Sequence, residues 1–459
     1  MGNPALSRRS FDHWGSPAHT WLAIQATVTT IIITWFAAGE TTYAPQTYTV
    51  LATSSILPVI RLATTGHQVR WGWYLPFLLV AGFLGISLMN PSHIWDPDLS
   101  KWRLNPDWIR FLPTTMDPPS TLGQSAPLLA TLVLGGSVAA AHIPPQHVNR
   151  AWLALVINAM ILSLVGATVK FSGTSLFMGF KETRLSYFFA TFTYRNHWSA
   201  FAILMTAVAA GYAFSYWKEA KSDSRKIEKA RLFATITLLV AFTPVLAGSR
   251  SGTILMGLLL TLIGMVAVFQ LRRKPGPSRS RLMILGNLGI VVAVFTTVVA
   301  LSWPHLSQRF SGAGNGQALW VEATKNLRIQ FTKDTLSMAA QRPVYGWGLG
   351  SYVHVFPKFQ GDYLRDETGK ITTTVDKAHN DWAQTVAEIG IVGLVLLVVP
   401  VCWGFVIAWS EGSFQVKFAL IGIMFLAVYA FIDFPLRNLG VVAHSVLFLT
   451  TASRLPKAA

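Results

Sequence analysis

Apolar runs of about 20 residues, the length that crosses a bilayer core, recur twelve times along the chain. They fall at approximately 19–38, 46–64, 72–89, 125–141, 151–169, 196–216, 232–248, 251–270, 282–303, 384–408, 416–432 and 438–453. The first run is too long for the core of a cleaved signal segment, and further spans follow it, so it is read as a retained helix. The connections are of two kinds. Segment 218–231 holds six basic and three acidic residues, and 271–281 holds five basic residues and no acid. The connections near Arg70 and Arg150 and the tail with Arg454 and Lys457 are also basic. With twelve spans and the N-terminus inside, every one of these falls in the cytoplasm. The opposite face then receives a Trp- and Pro-rich segment at 90–125, a shorter one at 170–194, and a long loop at 303–383 before the last three helices. Long outer loops of this kind carry function or a small ordered subdomain. Apolar residues at helical spacing predict a helix over 319–340 within the long loop.

Composition supports a membrane protein. Of 459 residues, 52% are hydrophobic and 12% charged, against roughly 25% charged in a soluble domain. The net charge of +17 would suit nucleic acid, but it resides in short loops between apolar spans and is read as the cytoplasmic bias instead. Cys402 is the single cysteine, so no intrachain disulfide forms. There is no phosphate-cradling Gly-rich loop with Lys-Ser/Thr and no Cys/His cluster at zinc spacing. Asp96 and Asp98 have a metal-friendly spacing but lie in the Pro-rich outer segment. No metal and no cofactor are expected.

Four polar clusters stand at the outer ends of the spans: Tyr194-Arg195-Asn196-His197, Gly248-Ser249-Arg250-Ser251-Gly252, Lys377-Ala378-His379-Asn380-Asp381, and Asp433-Phe434-Pro435-Leu436-Arg437-Asn438. Helices entering from that face present free N–H groups and the positive end of the dipole there. Arginine at such ends makes an anion site, since its planar fork grips phosphate. If the clusters converge, they form a cationic cup at the rim of the bilayer. Each residue has a blander role as well. Arg195 could snorkel to the interface. Arg250 sits in a turn of a few residues where a charge is costly unless paired or used. His379 could belong to a helix cap with Asn380 and Asp381. Arg437 is expected to pair with Asp433 four residues away. Asn196 and His197 are read as orienting their neighbours, and Glu388 as an intramembrane carboxylate that is either functional or satisfied between helices.

These motifs resemble the O-antigen ligase and Wzy-type polymerase superfamily of bacterial envelope glycosyltransferases. The matching elements are Arg195-Asn196, Ser249-Arg250-Ser251-Gly252, Arg342-Pro343-Val344-Tyr345-Gly346-Trp347-Gly348, Ala378-His379-Asn380-Asp381 with Ala387-Glu388-Ile389-Gly390-Ile391-Val392-Gly393, and Asp433-Phe434-Pro435-Leu436-Arg437. They cover roughly 190–440 in the family's order. The resemblance implies an all-α integral membrane protein of about twelve transmembrane helices, a GT-C-like bundle. It divides the chain into N-terminal helices with the Trp/Pro-rich outer segment (1–189) and a ligase/polymerase-like region (190–459). It implies a bacterial inner-membrane enzyme, active site facing the periplasm, that moves a glycan from an undecaprenyl-diphosphate-linked donor to an acceptor hydroxyl with inversion and without metal. The acceptor is lipid A–core, a lipid-linked repeat or a protein. Arg195 and Arg250 would hold the diphosphate, and His379 would act on the acceptor. Arg342, Arg437, Asn380, Ser249 and Asn196 would complete substrate binding. Two readings from other classes compete. A lipid-linked glycan transporter would show internal repeats and midplane charges, whereas the polar residues gather at one face. A scaffold would not need Arg250 or His379.

Overall fold

The computed structural model describes residues 17–36, 56–60, 62–63, 70–173, 176–177, 181–182, 188–220, 223–273, 317–371 and 373–455. In chain order the principal helices are α1 (Pro17–Phe36), α2 (Leu75–Met89), α3 (Pro118–Ala140), α4 (Pro145–Phe171), α5 (Arg195–Ala220), α6 (Ser224–Leu246), α7 (Arg250–Arg273), α8 (Gln317–Gln341), the short α9 (Tyr352–Val355), α10 (Asp381–Glu411), α11 (Phe414–Tyr429) and α12 (Leu439–Thr451). Seven helices are long and apolar enough to cross a membrane, and three shorter apolar helices accompany them. These ten coincide with ten of the expected spans. The span at 282–303 lies outside the described residues, as does most of 46–64.

Two helix starts differ from the hydropathy reading because caps, not hydrophobicity, set them. Asp117 accepts from the Ser120 amide at 3.2 Å ahead of Pro118 and Pro119, so α3 begins seven residues before the apolar run. Asp223 accepts from the Arg225 amide at 2.9 Å, and α6 extends back through the basic segment, whose Lys and Arg are good helix formers.

The core is organised around α5. Of its apolar window 89% is buried, against 11–44% for the other six long helices, which marks a helix enclosed on all sides. It packs chiefly on α6 and α11. The α5–α11 approach depends on Gly211, where an added Cβ would lie 2.8 Å from the Gln415 Cα.

Outside this bundle the chain is not purely helical. Residues His93–Asp96 (β1) and Lys101–Leu104 (β2) form an antiparallel hairpin in which Trp95 faces Trp102. The hairpin adds two short strands to a mostly helical chain, within the segment read as a Trp- and Pro-rich loop, and cross-strand aromatic pairs suit such a ribbon. A small second core joins Met116 to Met338, Trp347, Tyr352, Val355 and Phe356, binding the 90–117 segment and 327–380 into one outer cap.

The cap is tied to α10 through a break in that helix. Gly390 has φ +64° and ψ −172°, a region open essentially to glycine. The break strips helical partners from neighbouring backbone groups, and segment 343–348 replaces them. Trp347 and Gly348 amides donate to the Ala387 and Glu388 carbonyls at 3.0 and 2.7 Å, while Ile391 and Val392 amides donate to Pro343 and Val344 at 2.8 and 3.1 Å. Irregular backbone at an apolar helix is tolerated when its polar groups are satisfied in this way.

Candidate functional site

The site forms where α5, α7, α10 and α12 begin and α6 and α11 end, so four helix N-termini share one end of the bundle. The basic segment between α5 and α6 lies at the opposite end of those two helices.

Arg195 opens α5 and Arg250 opens α7. They are brought together by Gly252, where a Cβ would lie 2.3 Å from the Ser199 Cβ. Only a glycine lets the first turn of α7 rest on the first turn of α5. Ser199 in turn donates to the Arg195 carbonyl at 2.9 Å. The arginines are half-buried, and Arg250 is close enough to feel the charges of both Arg195 and Arg328. The turn before α7 is held by Gly248 at φ +70° and by Ser249, whose hydroxyl donates to Asn196 Oδ1 at 2.7 Å. Ser249 Oγ also receives the Gly252 amide at 3.1 Å.

Asp433 is the hub. It is 1% exposed and takes hydrogen bonds from Asn196 Nδ2, from the Tyr194 hydroxyl at 3.3 Å and from the Phe434 amide at 2.9 Å. The Arg328 guanidinium stands 3.7 Å away and also donates to the Ile432 carbonyl at 3.2 Å. His379 Nδ1 lies 3.6 Å from Asp433 Oδ1. Burial pushes the Asp433 carboxyl up, but contact with His379 and the charges of His379, Arg328 and His197 outweigh it and hold the group below the ordinary carboxylate range. Tyr194 is pushed up by burial and by the Asp433 charge, so it remains a neutral donor.

His379 has φ +52°, a strained value for a residue with a Cβ. It follows from the start of α10. Asn380 caps the helix by accepting from the Ala383 amide at 3.1 Å, and the Asp381 amide donates to the carbonyls of Ala430 at 2.8 Å and Asp433 at 3.2 Å. The chain must therefore turn sharply at His379. Its ring lies among Phe331 and Phe434, with centroids at 6.4 and 5.1 Å, and the residue's side chain is 27% exposed.

Two expected residues lie elsewhere. Arg437 does not pair with Asp433. It donates to Glu388 Oε2 at 2.8 Å, Asp381 Oδ1 at 3.3 Å and Gln124 Oε1 at 3.2 Å. Four-residue spacing brings side chains together only on a continuing α-helix, and 435–437 is a 3-10 turn. Glu388 is satisfied by Arg437 and by Gln384 at 3.1 Å. Arg342 sits in the outer cap between Trp108 and Trp347. Asp96 is engaged by Arg103 at 2.8 Å. Among the described residues no His, Cys, Asp and Glu group has metal-holding geometry.

Arg328 escaped the motif reading. Its signal was a charge on the inward face of α8: 328, 331, 335 and 338 share one side of a helix, and Thr335 and Met338 are fully buried.

The fold and site define a multi-pass membrane protein with a half-buried cationic cluster at one end of its bundle: three arginines within reach of one another's charge, of which Arg328 stands beside a buried carboxylate that a histidine also faces. The family model described as O-Antigen ligase matches residues 235–398, a stretch running from within α6 into α10 that contains Arg250, Arg328 and His379. Over that stretch the chain is similar to the O-antigen ligase family, in line with the resemblance of its motifs. No curated protein matches it.

Proposed function

We propose that the protein transfers a glycan from an undecaprenyl-diphosphate-linked donor to an acceptor hydroxyl, at the periplasmic face of the bacterial inner membrane. The observation that carries this reading is the convergence of Arg195, Arg250 and Arg328 beside the Asp433–His379 pair. A diphosphate anchored by a polyprenyl tail places its charge at the depth of these helix ends. Arg195, Arg250 and Arg328, with the N-terminal dipoles of α5 and α7, receive the negative charge that grows as the bond between the anomeric carbon and the diphosphate oxygen breaks. The acceptor oxygen attacks the opposite face of that carbon, inverting it. Its proton passes to His379 Nε2, since Nδ1 faces Asp433. The carboxylate stabilises the resulting imidazolium, and Asn196 and Tyr194 orient the carboxylate. The polyprenyl diphosphate leaves as the charged product.

Ser249 and Asn196 act through position, holding the α7 start against Asp433. Arg437 neutralises Asp381 and Glu388 and thereby sets the α10 start. Ligase, polymerase and protein-directed transfer share this donor chemistry and differ in the acceptor, which reaches His379 past the outer cap.

The test is Arg250→Ala in a strain lacking the native gene. The expected outcome is loss of the surface glycan with normal accumulation of the protein. Unchanged surface polysaccharide would overturn the assignment.

A further inference from the structure

A second cationic group lies in the outer cap, apart from the arginine pocket. The Arg342 guanidinium carbon is 3.9 Å from the centroid of the Trp347 ring and 4.6 Å from that of Trp108. Two aromatic rings therefore pack on the guanidinium, whose N–H groups remain the part that can bind through hydrogen bonds. One edge nitrogen donates to Ser92 Oγ at 3.1 Å, and the same hydroxyl is 3.1 Å from His93 Nδ1. The Lys358 ammonium is close enough that its charge and that of Arg342 both act on His93, and Arg342 acts on Lys358.

Among the described residues no carboxylate stands in ion-pair contact with Arg342 or Lys358. Two acids of the same segment are committed elsewhere. Asp117 is held by His354 at 3.0 Å, and Asp96 by Arg103. Two cations gathered beside a buried imidazole without a counter-charge repel one another and lose hydration. Burial pulls Arg342 down to about 10. Burial with the two charges pulls His93 down to about 4, so at neutral pH it is uncharged. An incoming oxyanion relieves all three costs at once. The hairpin beside this group presents Trp95, 48% exposed, set edge-on to Trp102 at 5.5 Å, which is a surface suited to sugar faces.

We propose that the outer cap carries a second glycan subsite, built on Arg342, Lys358 and His93 beside the tryptophan hairpin, that takes a sugar bearing a phosphate or a carboxylate. The in-plane edge of Arg342 and the Lys358 ammonium grip the oxyanion, while a tryptophan face carries the ring. Its place in glycan transfer, holding the acceptor side, rests on the function proposed above; its existence as a binding site does not.

The experiment is saturation-transfer NMR on the full-length protein in phosphatidylcholine nanodiscs. The probes are methyl glucoside 6-phosphate, methyl glucuronide and uncharged methyl glucoside. Both charged glycosides, or one of them, bind the wild type while the uncharged one does not, and the tighter of the two identifies the natural anion. Lys358→Glu, at an exposed position that does not disturb the Arg342 stack, weakens binding by about tenfold or more. Arg250→Ala leaves it unchanged. The proposal is overturned if neither charged glycoside binds, if the uncharged glycoside binds as well, if Lys358→Glu binds like the wild type, or if Arg250→Ala abolishes the signal and so returns it to the arginine pocket. Intact surface glycan in Arg250→Ala would remove the transfer reading and leave this subsite standing.

Discussion

Replacing Asp433 by Asn isolates the contribution of the carboxylate to His379. The exchange keeps shape and removes charge. The asparagine oxygen retains the Phe434 amide, which lies 2.9 Å away in the native protein. Its amide nitrogen then meets the Asn196 amide and the Arg328 guanidinium, donors facing a donor. At 3.6 Å from His379 Nδ1, an ionised carboxylate stabilises an imidazolium by roughly 4–5 kcal/mol at an effective dielectric of about 20. Solvent at the partly exposed ring reduces this to roughly 2–3 kcal/mol, or about 30- to 150-fold in kcat. Where such an Asp–His contact is a direct hydrogen bond, the same exchange costs about 10⁴-fold, so the longer contact here predicts the smaller loss. The assay is turnover of purified enzyme on a lipid-linked donor across pH, paired with thermal unfolding. The stability part has a definite sign. The folded Asp433 carboxyl lies below its ordinary value, so its stabilisation is complete above the unfolded carboxylate pKa of about 4 and is lost only as pH falls through the lower folded value. Asp433→Asn removes that acid-side dependence. A variant with wild-type kcat and an unchanged pH profile would refute the role of Asp433 as partner of the base.

Gly390→Ala places a Cβ 2.2 Å from the Val344 carbonyl oxygen at a φ of +64°. Strain of about 1–3 kcal/mol plus lost cap bonds should loosen 343–348, which faster hydrogen exchange at the Trp347 and Gly348 amides reads directly; wild-type protection of those amides would speak against the docked break. Arg437→Met leaves Asp381 and Glu388 buried without their cation and is expected to cost about 3–5 kcal/mol. A thermal midpoint equal to wild type would contradict the ion triad. Single cysteines at 225 and 365, in a Cys402→Ser background, should label from opposite sides of the membrane, and labelling of both from one side would break the assigned topology.

Hydropathy alone located ten apolar helices and the face on which polar motifs gather, because burying a span in lipid demands a long uninterrupted apolar run whatever its neighbours do. Motif spacing likewise singled out Arg195, Arg250 and His379, since charges and sharp turns at helix ends are costly enough to stand out in a chain. Which groups meet was decided by packing. Asp433 joined Asn196 and Tyr194 from across more than two hundred residues, and Arg328 and His379 from other elements, whereas local spacing pointed it at Arg437. That pairing failed because the chain between them is a 3-10 turn. Gly252 and Gly390 look alike in sequence, yet one permits two helices to touch and the other admits a loop into a broken helix. Periodicity and caps are short-range and legible along the chain. Ion-pair partners are chosen by three-dimensional proximity, which only the folded bundle supplies.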